Sequence, residues 1–96
     1  METLKRLDIA AHRNVLMLVV ESDLLPPDPA IVVIPLLPDY PAVALLNPTI
    51  RHGERDIVLA TRLFTAVRRS TLRPAGDARR DADRITRAID ILMAGV

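Results

Sequence analysis

The sequence predicts a small antiparallel β-domain that is covered by one C-terminal helix. Two short apolar runs rich in β-branched residues, Val15–Val20 and Ile31–Ile34, are typical of strands buried on both faces. No helix passes through Pro26, Pro27 and Pro29, which lie in the connection between these runs. After residue 77 the apolar residues recur every three or four positions, which indicates an amphipathic helix. A sheet that buries two such strands needs a cover, and this helix supplies it.

The segments that flank the two runs are expected to lie at sheet edges. Leu4, Leu7 and Ile9 precede the first run, so we expect an edge strand there, followed by a surface turn at residues 12–14. Pro35 directly follows the second run. Because proline cannot donate to a sheet ladder, this strand is expected to end or to become an edge at that point.

The middle third of the chain is rich in proline. Seven of the eight prolines lie between residues 26 and 48, which predicts loops and short extended pieces. Within this region, residues 42–46 fit either a turn of helix or a short strand, and the sequence does not decide between them.

A hairpin is expected in the second half of the chain. Residues 49–52 have the composition of a strand, and His52-Gly53-Glu54 is typical of a hairpin connection. Residues 56–64 alternate as a strand does, and residues 65–72 are expected to continue extended after a bend.

The C-terminal part begins with a predicted break in the chain. Arg73-Pro74-Ala75-Gly76 is expected to interrupt regular structure, and Asp77 is the expected N-cap for the helix that follows. The helix is predicted over residues 78–93, with Gly95 as its C-terminal cap. Its apolar stripe is formed by Ala82, Ile85, Ala88, Ile89, Leu92 and Met93.

Composition limits the function classes. The 96 residues make one domain (1–96), and half of them are apolar, which favours a homodimer that buries more apolar surface. Basic and acidic residues number 13 and 12, without a basic block or stacking aromatics, so neither sequence-specific nucleic-acid binding nor membrane insertion is expected.

There is no cysteine, and His12 and His52 are not clustered, so no metal or other cofactor is expected. No apolar signal segment is visible, and the cytoplasm is the expected location.

Four segments, taken in order, resemble the CcdB family, the toxins of a type II toxin–antitoxin system with the CcdB/MazF fold. Each segment alone is common, whereas their order and spacing over residues 14–96 are distinctive. The segments are Val19-Val20-Glu21-Ser22-Asp23-Leu24-Leu25, Val33-Ile34-Pro35-Leu36, His52-Gly53-Glu54 and Ile85-Thr86-Arg87-Ala88-Ile89-Asp90-Ile91-Leu92-Met93-Ala94-Gly95-Val96.

The resemblance implies a fold, a target and a partner. The fold is a small Src-homology-3-like antiparallel barrel with a small accessory sheet and a C-terminal helix, and the protein is a homodimer. Members of the family bind the A subunit of DNA gyrase, trap its cleaved DNA complex and are neutralised by the antitoxin CcdA. Carried over position by position, the implied gyrase contacts are Leu24, Leu25, Asp90, Met93, Ala94, Gly95 and Val96. The family prototype has tryptophan at the position of Ala94 and phenylalanine at that of Met93.

Structural alternatives exist for these residues. Met93 to Val96 fit an ordinary helix end, with Gly95 as the cap and Val96 folded back. For Leu24 and Leu25 a core position is the better expectation from residue type, although the neighbouring prolines leave room for one of them to face outward. In the same region, Ser22 and Asp23 are typical of turn hydrogen bonds rather than of catalysis.

Two further functions stay open at the level of sequence. One is a metal-independent endoribonuclease of the MazF type, for which Glu21, Thr61 and Arg62 are the candidate residues. The other is a toxin-derived protein that retains only antitoxin binding. A general-base role for His52 is less favoured than a solvated hairpin position. Arg62, Arg68 and Arg69 suit either a grip on phosphate or acidic peptide, or a solvated strand face.

Overall fold

The computed structural model describes residues 3–94, and it has the predicted class: mainly β, with one C-terminal helix. Seven strands pair antiparallel in one curled sheet. Short 3₁₀ turns occupy residues 61–63, 69–71 and 79–81. The strands are β1 (Asp8–His12), β2 (Val15–Val19), β3 (Ala30–Leu37), β4 (Thr49–His52), β5 (Arg55–Leu59), β6 (Thr65–Arg68) and β7 (Arg73–Asp77), and the helix is α1 (Ala82–Ala94).

The two apolar runs predicted to be buried strands form β2 and β3, the middle of the sheet. The strand order is β4-β5-β3-β2-β1-β7, with β6 paired to β3 alongside this path. Leu18 pairs with Ile34 and Val19 with Val33, so the two apolar runs are direct neighbours. β3 serves two partners on its other side, β6 along its first half and β5 at Leu36 and Leu37. The β4–β5 hairpin therefore continues the sheet as its accessory part.

Of the two outcomes expected at Pro35, an end of the strand is wrong, because β3 runs on to Leu37. A local edge is found, because Pro35 lies between the residues of β3 that pair with β6 and those that pair with β5. Pro35 pairs with Met17 of β2, and its carbonyl accepts a hydrogen bond from the Ala60 N–H at 3.0 Å. In a strand, the N and O of one residue point to the same side. The side of Pro35 that lacks an N–H therefore faces Ala60, where β3 changes partner from β6 to β5, and the Ala60 carbonyl accepts the Leu63 N–H at 2.8 Å instead.

The predicted break at residues 73–76 is also wrong, because these residues form most of β7. β7 pairs with β1, so β1 is an internal strand and not the expected edge. Ile9 faces Gly76 whereas Ala10 faces Pro74, which leaves Ala75 as the extra residue of a β-bulge. Pro74 is tolerated because β7 is itself an edge strand. The turn expected at residues 12–14 is confirmed, with Arg13 at φ 56°.

The hairpin at residues 52–55 is confirmed, whereas the long strand over residues 56–64 is interrupted. His52 pairs with Arg55, and Gly53 takes φ 62°, a left-handed conformation that glycine adopts without strain. β5 ends at Leu59, and a 3₁₀ turn at 61–63 redirects the chain into β6. Residues 42–46 form neither a helix nor a strand; they lie in a turn closed by a Val43–Asn47 bridge.

The sheet buries apolar side chains on both faces, as the two central runs predict. On one face α1 is the cover, since Ile85 and Ala88 pack with Leu18 and Ile34. On the other face Met17, Val19, Ile31 and Val33 form a second core with Leu72.

The helix begins later than predicted. The Asp77 carboxylate accepts the Arg79 N–H at 3.0 Å, but this bond opens the 3₁₀ turn at 79–81, and α1 itself starts at Ala82. Within residues 3–94 no helix is long and apolar enough to cross a membrane.

Candidate target-binding site

The loop between β2 and β3, residues 20–29, presents two large apolar side chains to solvent. Leu24 is 94% exposed and Leu25 is 55% exposed, so the core alternative for these residues is wrong. The turn expected at Ser22 is confirmed: its hydroxyl accepts the Leu24 N–H at 3.1 Å, and its carbonyl accepts the Leu25 N–H at 3.2 Å. The two leucines therefore lie on the solvent side of this turn.

The last turn of α1 is the second predicted contact region. Met93 is 70% exposed, although the helical stripe predicts it to be buried, and Asp90 and Ala94 are exposed as well. Gly95 and Val96 lie outside the described residues, and so does the predicted glycine cap. The predicted burial of Met93 is wrong, because the sheet surface that covers Ile85 and Ala88 does not extend over this end of the helix.

Arg6 connects the loop to the helix. Its backbone N–H donates to the Asp23 carboxylate at 2.7 Å, and its guanidinium donates to the Thr86 hydroxyl at 3.3 Å. Between residues 3 and 94 no hydrogen bond joins Leu24 or Leu25 to α1 directly. Sequence reasoning missed Arg6, because it lies in the segment with the weakest apolar pattern, and only the fold brings it to both elements.

A small apolar cavity lies beside the helix end. It has a volume of about 230 Å³, and Val20, Ile34 and Leu92 line it. Phe64, 49% exposed, and Met93 also line this cavity. The end of α1 thus continues into an apolar surface formed by the sheet and by the chain just before β6.

The candidate ribonuclease residues are not arranged for catalysis. Thr61 is completely buried, and its hydroxyl donates to the carbonyl oxygen of Leu46 inside the domain. The Glu21 carboxylate lies 3.6 Å from the Arg69 guanidinium and accepts the Val32 N–H at 3.4 Å. Arg62 is exposed. A hydroxyl that is sealed in the interior cannot reach an RNA backbone, so Thr61 cannot take the catalytic role considered for it.

The other possibilities considered for chemistry are a general-base role for His52 and a metal site. His52 lies in the hairpin, as expected, and its ring lies close to the backbone of Gly76. The part of the chain described, residues 3–94, has no group of three or more His, Cys, Asp or Glu side chains placed to hold a metal ion.

Comparison with known proteins shows the family of the chain. A family model described as "CcdB protein" matches residues 6–95, nearly the whole chain. Among curated proteins, none matches.

Proposed function

The chain belongs to the CcdB family and is thus a toxin of a toxin–antitoxin system, and we propose that it inhibits DNA gyrase by binding the A subunit and trapping the cleaved DNA complex. In this proposal the β2–β3 loop and the C-terminal end of α1 form the binding surface. The protein acts by association and forms or breaks no bond itself. A CcdA-like antitoxin neutralises it.

The exposure of Leu24 and Met93 is the observation that carries the proposal. Leu24 is 94% exposed and Met93 is 70% exposed, so both leave apolar surface in contact with water. Transfer of that surface into an interface with a partner is favourable in free energy. Full burial of such a side chain contributes about 1.5–3 kcal/mol. These two residues lie in the two segments that the family uses for gyrase, which makes a protein target the best-supported role for them.

We also propose a symmetric homodimer. In the single chain, the apolar side chains that line the cavity at the end of α1 are open to solvent, and one of them, Phe64, is 49% exposed. A second copy that packs against the Phe64 side of this cavity would cover it with the same surface of its own, which is how two-fold dimers form, and would leave Met93 for the target. Sedimentation equilibrium of the wild type, compared with Phe64→Ser, tests this: the wild type is expected to be dimeric and the variant shifted toward monomer.

Expression in a gyrase-dependent bacterial host tests the proposed target. We expect growth arrest and accumulation of cleaved gyrase–DNA complexes, and purified protein is expected to produce the same complexes with gyrase in vitro. Met93→Ser should weaken both effects. Val43→Ser is the matched control, because Val43 is 51% exposed in a different loop. Growth arrest without cleaved complexes would show that the toxin has another target.

A further inference from the structure

Arg69 reaches across the base of the β2–β3 loop. Its guanidinium Nε donates to the carbonyl of Asp28 at 2.9 Å, and a terminal nitrogen lies 3.6 Å from the Glu21 carboxylate. Its backbone N–H donates to the carbonyl of Pro29 at 2.8 Å. One residue in the 3₁₀ turn at 69–71 therefore contacts both the first part of the loop and its last part.

The ion pair between Arg69 and Glu21 is partly buried. The Arg69 and Glu21 side chains are only 27% and 16% exposed, and partly buried ion pairs are screened less by salt than exposed ones. Arginine suits this position because its planar fork can satisfy a carbonyl and a carboxylate at once. The second oxygen of Glu21 also accepts the Val32 N–H, which fixes the carboxylate to β3.

The loop carries the exposed leucines of the proposed binding surface. A free loop must lose conformational entropy when a partner orders it, and this loss weakens binding. A residue that joins the two ends of the loop in advance removes part of that loss. We propose that Arg69 is a positioning residue that holds the β2–β3 loop in its binding shape; this inference rests on the proposed function for the role of Leu24 and Leu25.

Arg68 provides a matched control. It is the last residue of β6, is exposed, and makes no side-chain hydrogen bond or ion pair within residues 3–94. Arg68→Gln and Arg69→Gln remove the same charge one residue apart. Any effect of net charge alone is therefore common to both variants, and only Arg69→Gln releases the loop.

Loop order can be measured without any target. The chain has no cysteine, so Leu24→Cys gives a single site for a nitroxide spin label. In this background we expect Arg69→Gln to shift the electron paramagnetic resonance spectrum to narrower lines, which report a more mobile label, and Arg68→Gln to leave it unchanged. Equal spectra for the two folded variants would overturn the proposal. Circular dichroism checks folding, and Glu21→Gln, which removes the charge but keeps the side-chain shape, replaces Arg69→Gln if that variant does not fold.

Binding is then measured with the native Leu24. We expect Arg69→Gln to bind the gyrase A subunit about tenfold more weakly than the wild type, since loop ordering is then needed at binding. Arg69→Lys, which keeps the charge but loses the fork, should fall between the two, and Arg68→Gln should match the wild type. If the wild type does not bind gyrase at all, the proposed function fails, whereas the spin-label result still decides the role of Arg69.

Discussion

The imidazole of His52 lies against the backbone of Gly76, so closely that a Cβ added at residue 76 would stand 3.2 Å from its Cε1 atom. His52 ends β4 and Gly76 lies in β7, and these strands are the two ends of the sheet order. Their contact shows how strongly the sheet curls. The curl brings the first and last strands of the sheet order together, and α1 is tied to this region by the Arg84 guanidinium, which donates to the Thr49 carbonyl at 2.8 Å.

Gly76→Ala is expected to destabilise the domain by about 1–3 kcal/mol, the usual cost of a side chain in a disfavoured backbone conformation. Gly76 has φ 135°, and its new methyl group would also press on His52. Gly53→Ala is the comparison: Gly53 has φ 62°, and nothing lies within 4 Å of an added Cβ. Urea unfolding should show a larger loss in the free energy of unfolding for Gly76→Ala than for Gly53→Ala. Adding His52→Ala to Gly76→Ala should restore only the part of the loss that comes from the clash with the imidazole. Equal losses in the free energy of unfolding for Gly76→Ala and Gly53→Ala would contradict the close contact between His52 and Gly76.

Thr61→Val is expected to cost about 1–3 kcal/mol, because it leaves the Leu46 carbonyl without its donor inside the domain. The hydroxyl is buried and valine has nearly the same shape, so the loss reports the hydrogen bond. Thr65→Val in β6 is the control, since Thr65 is exposed. Thermal unfolding of both variants measures the difference. A neutral Thr61→Val would mean that this bond does not hold the turn before β6.

Leu25→Ser is expected to weaken gyrase binding by about tenfold or more, as the loss of a buried leucine contact of at least 1.4 kcal/mol implies. Leu45→Ser is a matched control, because both leucines are 55% exposed and only Leu25 lies in the β2–β3 loop. Surface plasmon resonance with the immobilised A subunit would measure both. A similar effect of the two substitutions would point to general hydrophobic adhesion in place of a defined site.

Ala94→Trp is expected to raise affinity for the target. Ala94 is exposed at the end of α1, and a tryptophan anchor at an interface centre is worth about 2 kcal/mol or more, roughly thirtyfold in Kd. Asp83→Trp, at an exposed position three turns earlier on α1, is the control for added apolar area. Titration calorimetry and toxicity on expression are the two readouts. Unchanged affinity would remove Ala94 from the binding surface.

The candidate site could be predicted only in part. The leucines of the β2–β3 loop and the end of α1 were named from a family resemblance, and their exposure in the structure is consistent with that role. Arg6 was not named from the sequence, and Arg69 was named only for a grip on phosphate or acidic peptide or for a solvated strand face, not for its contacts with the loop. Each acts through residues distant in the chain, Asp23 and Thr86 for the first and Glu21 and Asp28 for the second.

By itself the sequence determined the elements whose signals are local. β-branched apolar runs separated by prolines specified β2 and β3, a glycine that tolerates positive φ specified the β4–β5 turn, and a stripe of apolar residues specified α1. Tertiary structure alone decided the rest. Residues 73–77 became a strand because β1 offered an unpaired edge, and β3 passed through Pro35 because its partner changes there. A hydrogen-bonded partner from a distant segment can stabilise a conformation that local propensity disfavours, and no local pattern records where that partner will lie.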